Sequence, residues 1–82
     1  MRLIYFASLR ERIGKNAEEV DLPPQVRTIA ELIAWLAARD EAYAATFADT
    51  IVRAAIDKKH AKLEASVVGA REIAFFPPMT GG

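Results

Sequence analysis

The sequence predicts an α+β fold of one domain, in which a long amphipathic helix packs on one face of a small mixed sheet. Two observations lead to this fold class. Short apolar runs typical of strands lie near both ends of the chain, at residues 2–9 and 72–76. Between them, the segment that begins at Thr28 has the apolar spacing of a helix. With 82 residues, the chain is long enough for one hydrophobic core.

Composition excludes several classes of function. Apolar residues make up 52% of the chain, and the formal net charge is +0, so no basic surface for nucleic acid or an anionic membrane is expected. We find no apolar run of about eighteen residues and no leader pattern, and we therefore expect a soluble, cytoplasmic protein. Because cysteine is absent, the chain has no disulfide, no thiolate nucleophile and no cysteine-based metal site.

The first elements predict an opening hairpin. Residues 2–9 (RLIYFASL) form a strand whose two sets of alternating side chains are both apolar, so each face is either covered or a contact surface. A turn of helix or a loop follows and closes at Gly14. Residues 17–22 alternate charged and apolar side chains, and Pro23 ends them, which predicts a second strand at an edge of the sheet.

The main helix begins with a capping box. Thr28 and Glu31 have the spacing in which each side chain accepts a hydrogen bond from the other residue's amide. The apolar stripe that faces the sheet consists of Ile29, Leu32, Ile33 and Leu36. Trp35 lies off this stripe and is expected at the margin of the core. A shorter helical piece is predicted at residues 41–48.

The remaining segments predict a strand at residues 51–56, a charged turn at 57–60, a loop at 66–71 with a turn near Gly69, and the last strand at 72–76. His60, the one histidine, lies among lysines, and this setting is typical of a solvated loop and not of a metal site or a catalytic triad. Phe75 and Phe76 are adjacent in a strand, so they must point to opposite faces of the sheet.

These elements in this order predict a β-grasp arrangement. The first and last strands are expected to be parallel neighbours at the centre of the sheet, with the helix packed across them. A single main helix covers one face only. The other face is expected to present aromatic and aliphatic side chains, as a protein-binding patch does.

The chain divides into a domain at residues 1–76 and a C-terminal tail at residues 77–82. Pro77 and Pro78 have no backbone donors, so the tail must leave the sheet and continue as extended chain. Its six residues reach about 20 Å, and Gly81 and Gly82 would pass through a channel too narrow for a side chain. A fraying or truncated terminus is the alternative, but the aromatic residues and prolines before the glycines are atypical of a disordered tail.

Three segments resemble the small, ubiquitin-like subunit of molybdopterin synthase, the MoaD family. They are residues 72–82 (EIAFFPPMTGG), residues 5–14 (YFASLRERIG) and the helix start at residues 28–32 (TIAEL). The likeness covers nearly the whole chain. Two turns depart from the family pattern: Asp57 stands where an asparagine is frequent, and residues 69–71 (GAR) replace a frequent Asp-Gly-Asp.

The resemblance implies a sulfur carrier without a complete active site of its own. A partner similar to ubiquitin-activating enzymes would use ATP to adenylate Gly82, and the adenylate would become a thiocarboxylate. The large synthase subunit would then pass the sulfur to a pyranopterin precursor, in a two-plus-two heterotetramer. No metal or bound cofactor is expected. The residues predicted to contact partners are Phe75, Pro77, Pro78, Met79, Thr80 and Gly81.

Two alternatives share parts of this pattern. A sulfur carrier for thiamine synthesis, or a ubiquitin-related modifier joined to lysines, would have the same Gly-Gly end and the same activation chemistry. Residues 75–78 and the long helical region at 28–48 favour the molybdopterin branch. The second alternative is a β-grasp interaction module whose tail does no chemistry.

Overall fold

The computed structural model of the protein describes residues 1–78, and within this range the chain forms three helices and five strands. In chain order the elements are β1 (Arg2–Tyr5), α1 (Ala7–Ile13), β2 (Ala17–Glu19), α2 (Ile29–Arg39), α3 (Glu41–Asp49), β3 (Arg53–Ile56), β4 (Lys59–Ala61) and β5 (Glu72–Phe76).

The sheet has the order β2-β1-β5-β3-β4. β1 and β5 are parallel neighbours at its centre, with Leu3 across from Ile73 and Tyr5 across from Phe75. β2 pairs antiparallel with β1 and lies at an edge, and β3 pairs antiparallel with β5. The predicted mixed β-grasp sheet with parallel first and last strands is therefore confirmed.

One hydrophobic core lies between the sheet and the helices. Buried side chains from β1 and β5 and from all three helices belong to the same cluster, so the helices cover the same face of the sheet. We call this the covered face and the opposite one the outer face. The fully buried residues with the largest side chains are Tyr5, Phe75, Leu3, Leu9, Ile29, Leu32, Leu36, Ile73 and Thr46.

The start of the chain corrects one expectation. β1 ends at Tyr5 and not at residue 9, and α1 follows almost at once, so the expected turn of helix is a full helix. Phe6 has extended backbone angles, and its carbonyl accepts the amide of Leu9 at 3.1 Å. Leu9 is then turned into the core as a helical residue. Gly14 ends α1 at a positive φ of 88°, as expected of a glycine there.

The structure also corrects the expectation of a charged turn at residues 57–60. Residues 57 and 58 are the turn of a hairpin, and residues 59 and 60 begin its second strand, β4, an edge strand that the sequence pattern did not predict. Asp57 and Lys58 both adopt positive φ, at 47° and 73°. Two residues with positive φ are typical of a tight two-residue hairpin turn, although glycine and asparagine are more usual there.

The capping box of α2 is confirmed. The Thr28 hydroxyl accepts from the Glu31 amide at 3.1 Å, and the Glu31 carboxylate accepts from the Thr28 amide at 3.1 Å. The predicted second helical piece is α3, which Asp40 caps through the Ala42 amide at 2.7 Å. Trp35 packs half-buried against the core, as expected.

The two turns that depart from the family pattern lie against each other. The Asp57 carboxylate accepts from the amides of Arg71 and Glu72 at 3.0 and 2.9 Å, while the Asp57 amide donates to the Glu72 carbonyl at 2.9 Å. The β3–β4 turn thereby holds the start of β5. Because a charged acceptor strengthens both bonds, Asp57 supports the register of the central strand.

Candidate partner-binding site

The candidate site surrounds the end of β5, where the chain leaves the sheet. The Phe75 carbonyl accepts the Phe6 amide at 3.0 Å on one side. On the other side, Phe76 lies across from Arg53 of β3. Pro77 and Pro78 follow directly and are half-buried. Since neither proline can donate to a neighbouring strand, β5 ends at Phe76.

Phe75 points into the core, which corrects its assignment as a residue that contacts a partner. Its side chain is 0% exposed. The ring stacks on Tyr5 with centroids 6.0 Å apart and meets the edge of Phe47 at 5.6 Å. A ring enclosed in this way stabilises the end of β5 from the covered face of the sheet. It cannot contact a docked protein unless the surrounding core unfolds.

A polar cluster around Glu18 binds the hydroxyl group of Tyr5, at the end of its ring away from the backbone. The hydroxyl groups of Tyr5 and Tyr43 both donate to one carboxylate oxygen of Glu18, at 2.7 and 2.6 Å. Lys15 lies 3.5 Å from the other oxygen. The cluster thus joins β1, β2 and α3 through the Glu18 side chain, which is only 13% exposed.

The cluster changes the titration of its members. Burial acts to raise the pKa of Glu18, but the hydrogen bonds from Tyr43 and Tyr5 and the nearby Lys15 outweigh it, so this pKa lies below its ordinary value. Burial, followed by the bond to Glu18, raises the pKa of Tyr5 and also that of Tyr43. The carboxylate and the two neutral phenols are therefore the favoured forms in the folded protein.

Phe76, in contrast, lies on the outer face and is half-buried there. The imidazole of His60 meets its ring edge at 5.4 Å. Next to it, the alternation of side chains places Ile4 and Ala74 on the same face, since these two residues are paired across β1 and β5. We call Ile4, Ala74 and Phe76 the outer patch. It is apolar, as the sequence pattern predicted, and lies on the face opposite the three helices. Ile4 and Phe76 are half-buried there, and Ala74 is only 9% exposed.

Two exposed apolar residues beside the end of β5 were not predicted as site residues. Phe6 is 46% exposed, and its amide holds the Phe75 carbonyl. Ile51 is 68% exposed and precedes β3, which runs antiparallel to β5, so it lies on the side toward which the prolines continue. Both belonged to predicted strands, in which alternation alone could not tell an exposed apolar residue from a buried one.

Only some of the predicted tail residues lie within the described range. Pro77 and Pro78 are at the end of β5, as expected. Met79, Thr80, Gly81 and Gly82 lie outside the described residues, so their roles remain predictions. Around the prolines, the side chains are aromatic, aliphatic and basic, a composition that suits binding of another protein more than acid–base catalysis.

Other features of the described chain indicate neither a metal site nor a membrane-spanning helix. Residues 1–78 contain no group of three or more histidine, cysteine, aspartate or glutamate side chains arranged to hold a metal ion. No helix in that range is long and apolar enough to cross a membrane. A shallow depression of about 640 Å³ lies at the opposite end of the sheet from the tail, between Val20, Val26 and Val67.

Comparison with known proteins identifies relatives over the whole length of the chain. The model of the ThiS family matches residues 3–82. A molybdopterin synthase sulfur carrier subunit of Escherichia coli is 32% identical, and the match covers 100% of this chain and 99% of the relative. The protein of the same name from Haemophilus influenzae is 33% identical, again over 100% of this chain and 99% of the relative.

Solved structures support the fold. The crystal structure of SAMP1 from Haloferax volcanii matches with a TM-score of 0.74 at 22% identity, covering 99% of this chain and 97% of that one. A protein from Pyrococcus furiosus matches with a TM-score of 0.72 at 21% identity, covering 95% of each chain. At this level of identity the likeness concerns the β-grasp fold alone.

Proposed function

Because the chain belongs to the ThiS family, we propose that it is the sulfur carrier subunit of a molybdopterin synthase and that Gly82 carries the sulfur. The observation that carries the proposal is the likeness to two sulfur carrier subunits across 100% of this chain, its Gly-Gly end included. The composition around the end of β5 supports it, since a carrier must bind partners while its terminus reacts.

The terminus needs activation before it can take up sulfur. A carboxylate is a poor electrophile, so an activating enzyme uses ATP: a carboxylate oxygen of Gly82 attacks the α-phosphorus, and pyrophosphate leaves. A sulfur nucleophile then attacks the acyl carbon and AMP departs, which leaves a thiocarboxylate. ATP belongs to the activating enzyme, and the carrier binds no cofactor of its own in this proposal.

The large synthase subunit completes the reaction in the proposal. It receives residues 77–82, supplies the catalytic groups and transfers the sulfur of Gly82 to a pyranopterin precursor. Water cleaves the acyl–sulfur bond in this transfer, so Gly82 is released as a carboxylate. The carrier contributes the end of β5, which directs the tail, and the outer patch, which the partner contacts. We place this cycle in the cytoplasm and assign the carrier no catalytic residue other than its reacting terminus, Gly82.

The experiment that tests the carrier chemistry is intact mass spectrometry of the chain after incubation with a molybdopterin-pathway activating enzyme, ATP and a sulfide source. We expect a mass gain equal to the replacement of one oxygen by sulfur, located at Gly82 by fragmentation. A chain extended by one residue beyond Gly82 is the matched control and should stay unmodified. An unchanged wild-type mass, with the enzyme active on its own carrier, would favour an interaction module.

A substitution at Gly81 tests the narrow channel. Gly81→Val adds a branched side chain next to the reacting carbonyl, so we expect activation or transfer to fall sharply if the partner encloses the backbone there. Thr80→Val places the same side chain one residue earlier, where a side chain is already present, and should be tolerated better. Equal turnover of wild type and Gly81→Val would rule out a narrow passage.

A further inference from the structure

A basic depression lies beside the end of β5, at the edge of the sheet formed by β3 and β4. Its volume is about 290 Å³, and it is lined by Arg53, Ala54, His60, Ala61 and Lys62. Three of these five residues are basic and none is acidic. The depression therefore has one sign of charge, although the whole chain has a formal net charge of +0.

The sheet places this depression next to the tail. Arg53 is directly across from Phe76, the last residue before the prolines. His60 lies across from Ala55 and touches the Phe76 ring from the side. Any protein that takes up residues 77–82 and covers Phe76 must also come close to Arg53 and His60.

Arg53 and Lys62 have no carboxylate partner within the described chain. All three ion pairs formed by residues 1–78 lie elsewhere and use the N-terminus, Arg12 and Lys15. Arg53 and Lys62 are both exposed. At the opposite edge of the sheet, Glu19 of β2 lies 3.5 Å from the N-terminal amino group, and Glu18 belongs to the cluster on the covered face.

We propose that Arg53, His60 and Lys62 form a docking site for an acidic segment of the large subunit, next to the apolar contact made by Phe76. This inference rests on the proposed function and names the chemistry of the partner surface. Complementary charges at the rim of an interface raise the rate of encounter and fix its orientation. A neutral chain with one basic end would thereby present its tail to the partner in the productive direction.

The competing explanation is that basic residues protect an exposed edge strand from pairing with other chains. β4 is such a strand, and it contains Lys59 as well as His60. The two explanations make different predictions for basic residues on the covered face of the sheet. Lys59 is across from Ile56, which packs against the core, so its side chain belongs to the covered side of the sheet. Edge protection would involve Lys59 as much as Lys62, whereas docking would not.

The experiment measures association of the carrier with the cognate large subunit by stopped-flow fluorescence at low and high salt. For the double variant Arg53→Glu/Lys62→Glu we expect the association rate constant at low salt to fall by about tenfold or more, and the difference from wild type to shrink at high salt. The single variants Arg53→Glu, Lys62→Glu and Lys59→Glu change the charge equally. The first two should associate more slowly than wild type, whereas Lys59→Glu should bind like wild type. Circular dichroism verifies that each variant is folded.

Each outcome decides a different point. If wild type does not bind the large subunit, the proposed function is wrong, whatever the variants do. If wild type binds and the double variant binds equally fast at low salt, the docking site is wrong. An equal loss in Lys59→Glu and the double variant also overturns it. The milder Arg53→Gln/Lys62→Gln pair should show an intermediate loss, and it replaces the charge reversal if that variant fails to fold.

Discussion

Phe75 and Phe76 are neighbours in the same strand, yet they belong to different parts of the protein. Phe75 is enclosed between Tyr5 and Phe47, under three helices. Phe76 lies on the outer face beside His60, half-buried, on the side of the sheet opposite the three helices. One side of β5 therefore holds the fold together, and the other side is available to a partner. The tail begins where these two sides meet.

The largest expected effect comes from removing the enclosed ring. Phe75→Ala should lower the free energy of unfolding by about 3–5 kcal/mol, because it leaves a cavity in contact with two aromatic rings. Urea denaturation followed by circular dichroism measures this loss. A reduction below about 1 kcal/mol would mean that the covered face does not depend on this residue.

The matched change on the outer face should affect binding instead. Phe76→Ala is expected to weaken binding to the large subunit by about 1–3 kcal/mol, as for an apolar residue at the centre of an interface. The unfolding free energy should fall by less than in Phe75→Ala. Calorimetric titration and the same urea experiment measure the two quantities. Wild-type affinity in this variant would contradict a role for the outer patch.

The contribution of the Glu18 cluster on the covered face can be tested by the pH dependence of the free energy of unfolding. The pKa of Glu18 is lowered in the fold, so its stabilising contribution is present above the unfolded value of about 4.5 and is lost as pH falls below it. Glu18→Gln should cost about 1–3 kcal/mol at neutral pH, because the two phenols lose a charged acceptor.

The variant should also lose part of the acid dependence of stability. We expect the difference in unfolding free energy between wild type and Glu18→Gln to shrink as pH falls from about 5 to 3. Glu64→Gln changes an exposed side chain and is the control. A difference that stays constant over this pH range would show that Glu18 does not act through its charge.

The smallest expected effect concerns a residue distant from both phenylalanines. Thr28→Ala removes the acceptor for the Glu31 amide and should lower the unfolding free energy by about 1 kcal/mol. Binding to the large subunit should not change. Thr28→Ser keeps the hydroxyl and should recover most of the stability. A binding defect in Thr28→Ala would show that the fold and the partner surface are more closely coupled than described above.

Local signals were sufficient for part of the fold. Thr28 and Glu31 define their capping box within four residues, and the helix stripe follows from spacing alone. The β4 strand was missed because Asp57 and Lys58 adopt positive φ without being glycine, and the strand itself has no apolar alternation. The sequence predicts only a turn of helix in place of α1, because residues 2–9 have the pattern of one continuous strand.

The orientation of the site was beyond local reasoning. Alternation requires Phe75 and Phe76 to face opposite ways, but which one enters the core depends on Tyr5 and Phe47, from two other elements. Glu18 resembled a surface residue of an edge strand, and its role emerges only when Tyr5 and Tyr43 converge on it. Contacts between residues far apart in sequence decide both points.

The most direct test of the central claim is transfer of sulfur in a single turnover. Thiocarboxylated chain, large subunit and pyranopterin precursor are mixed, and the mass of the carrier is followed with formation of the sulfurated pterin. The account predicts that Gly82 loses its sulfur as the product forms, and that Phe76→Ala slows this step at subsaturating large subunit while the folded carrier remains intact. Retention of sulfur on Gly82 with an active large subunit would contradict it.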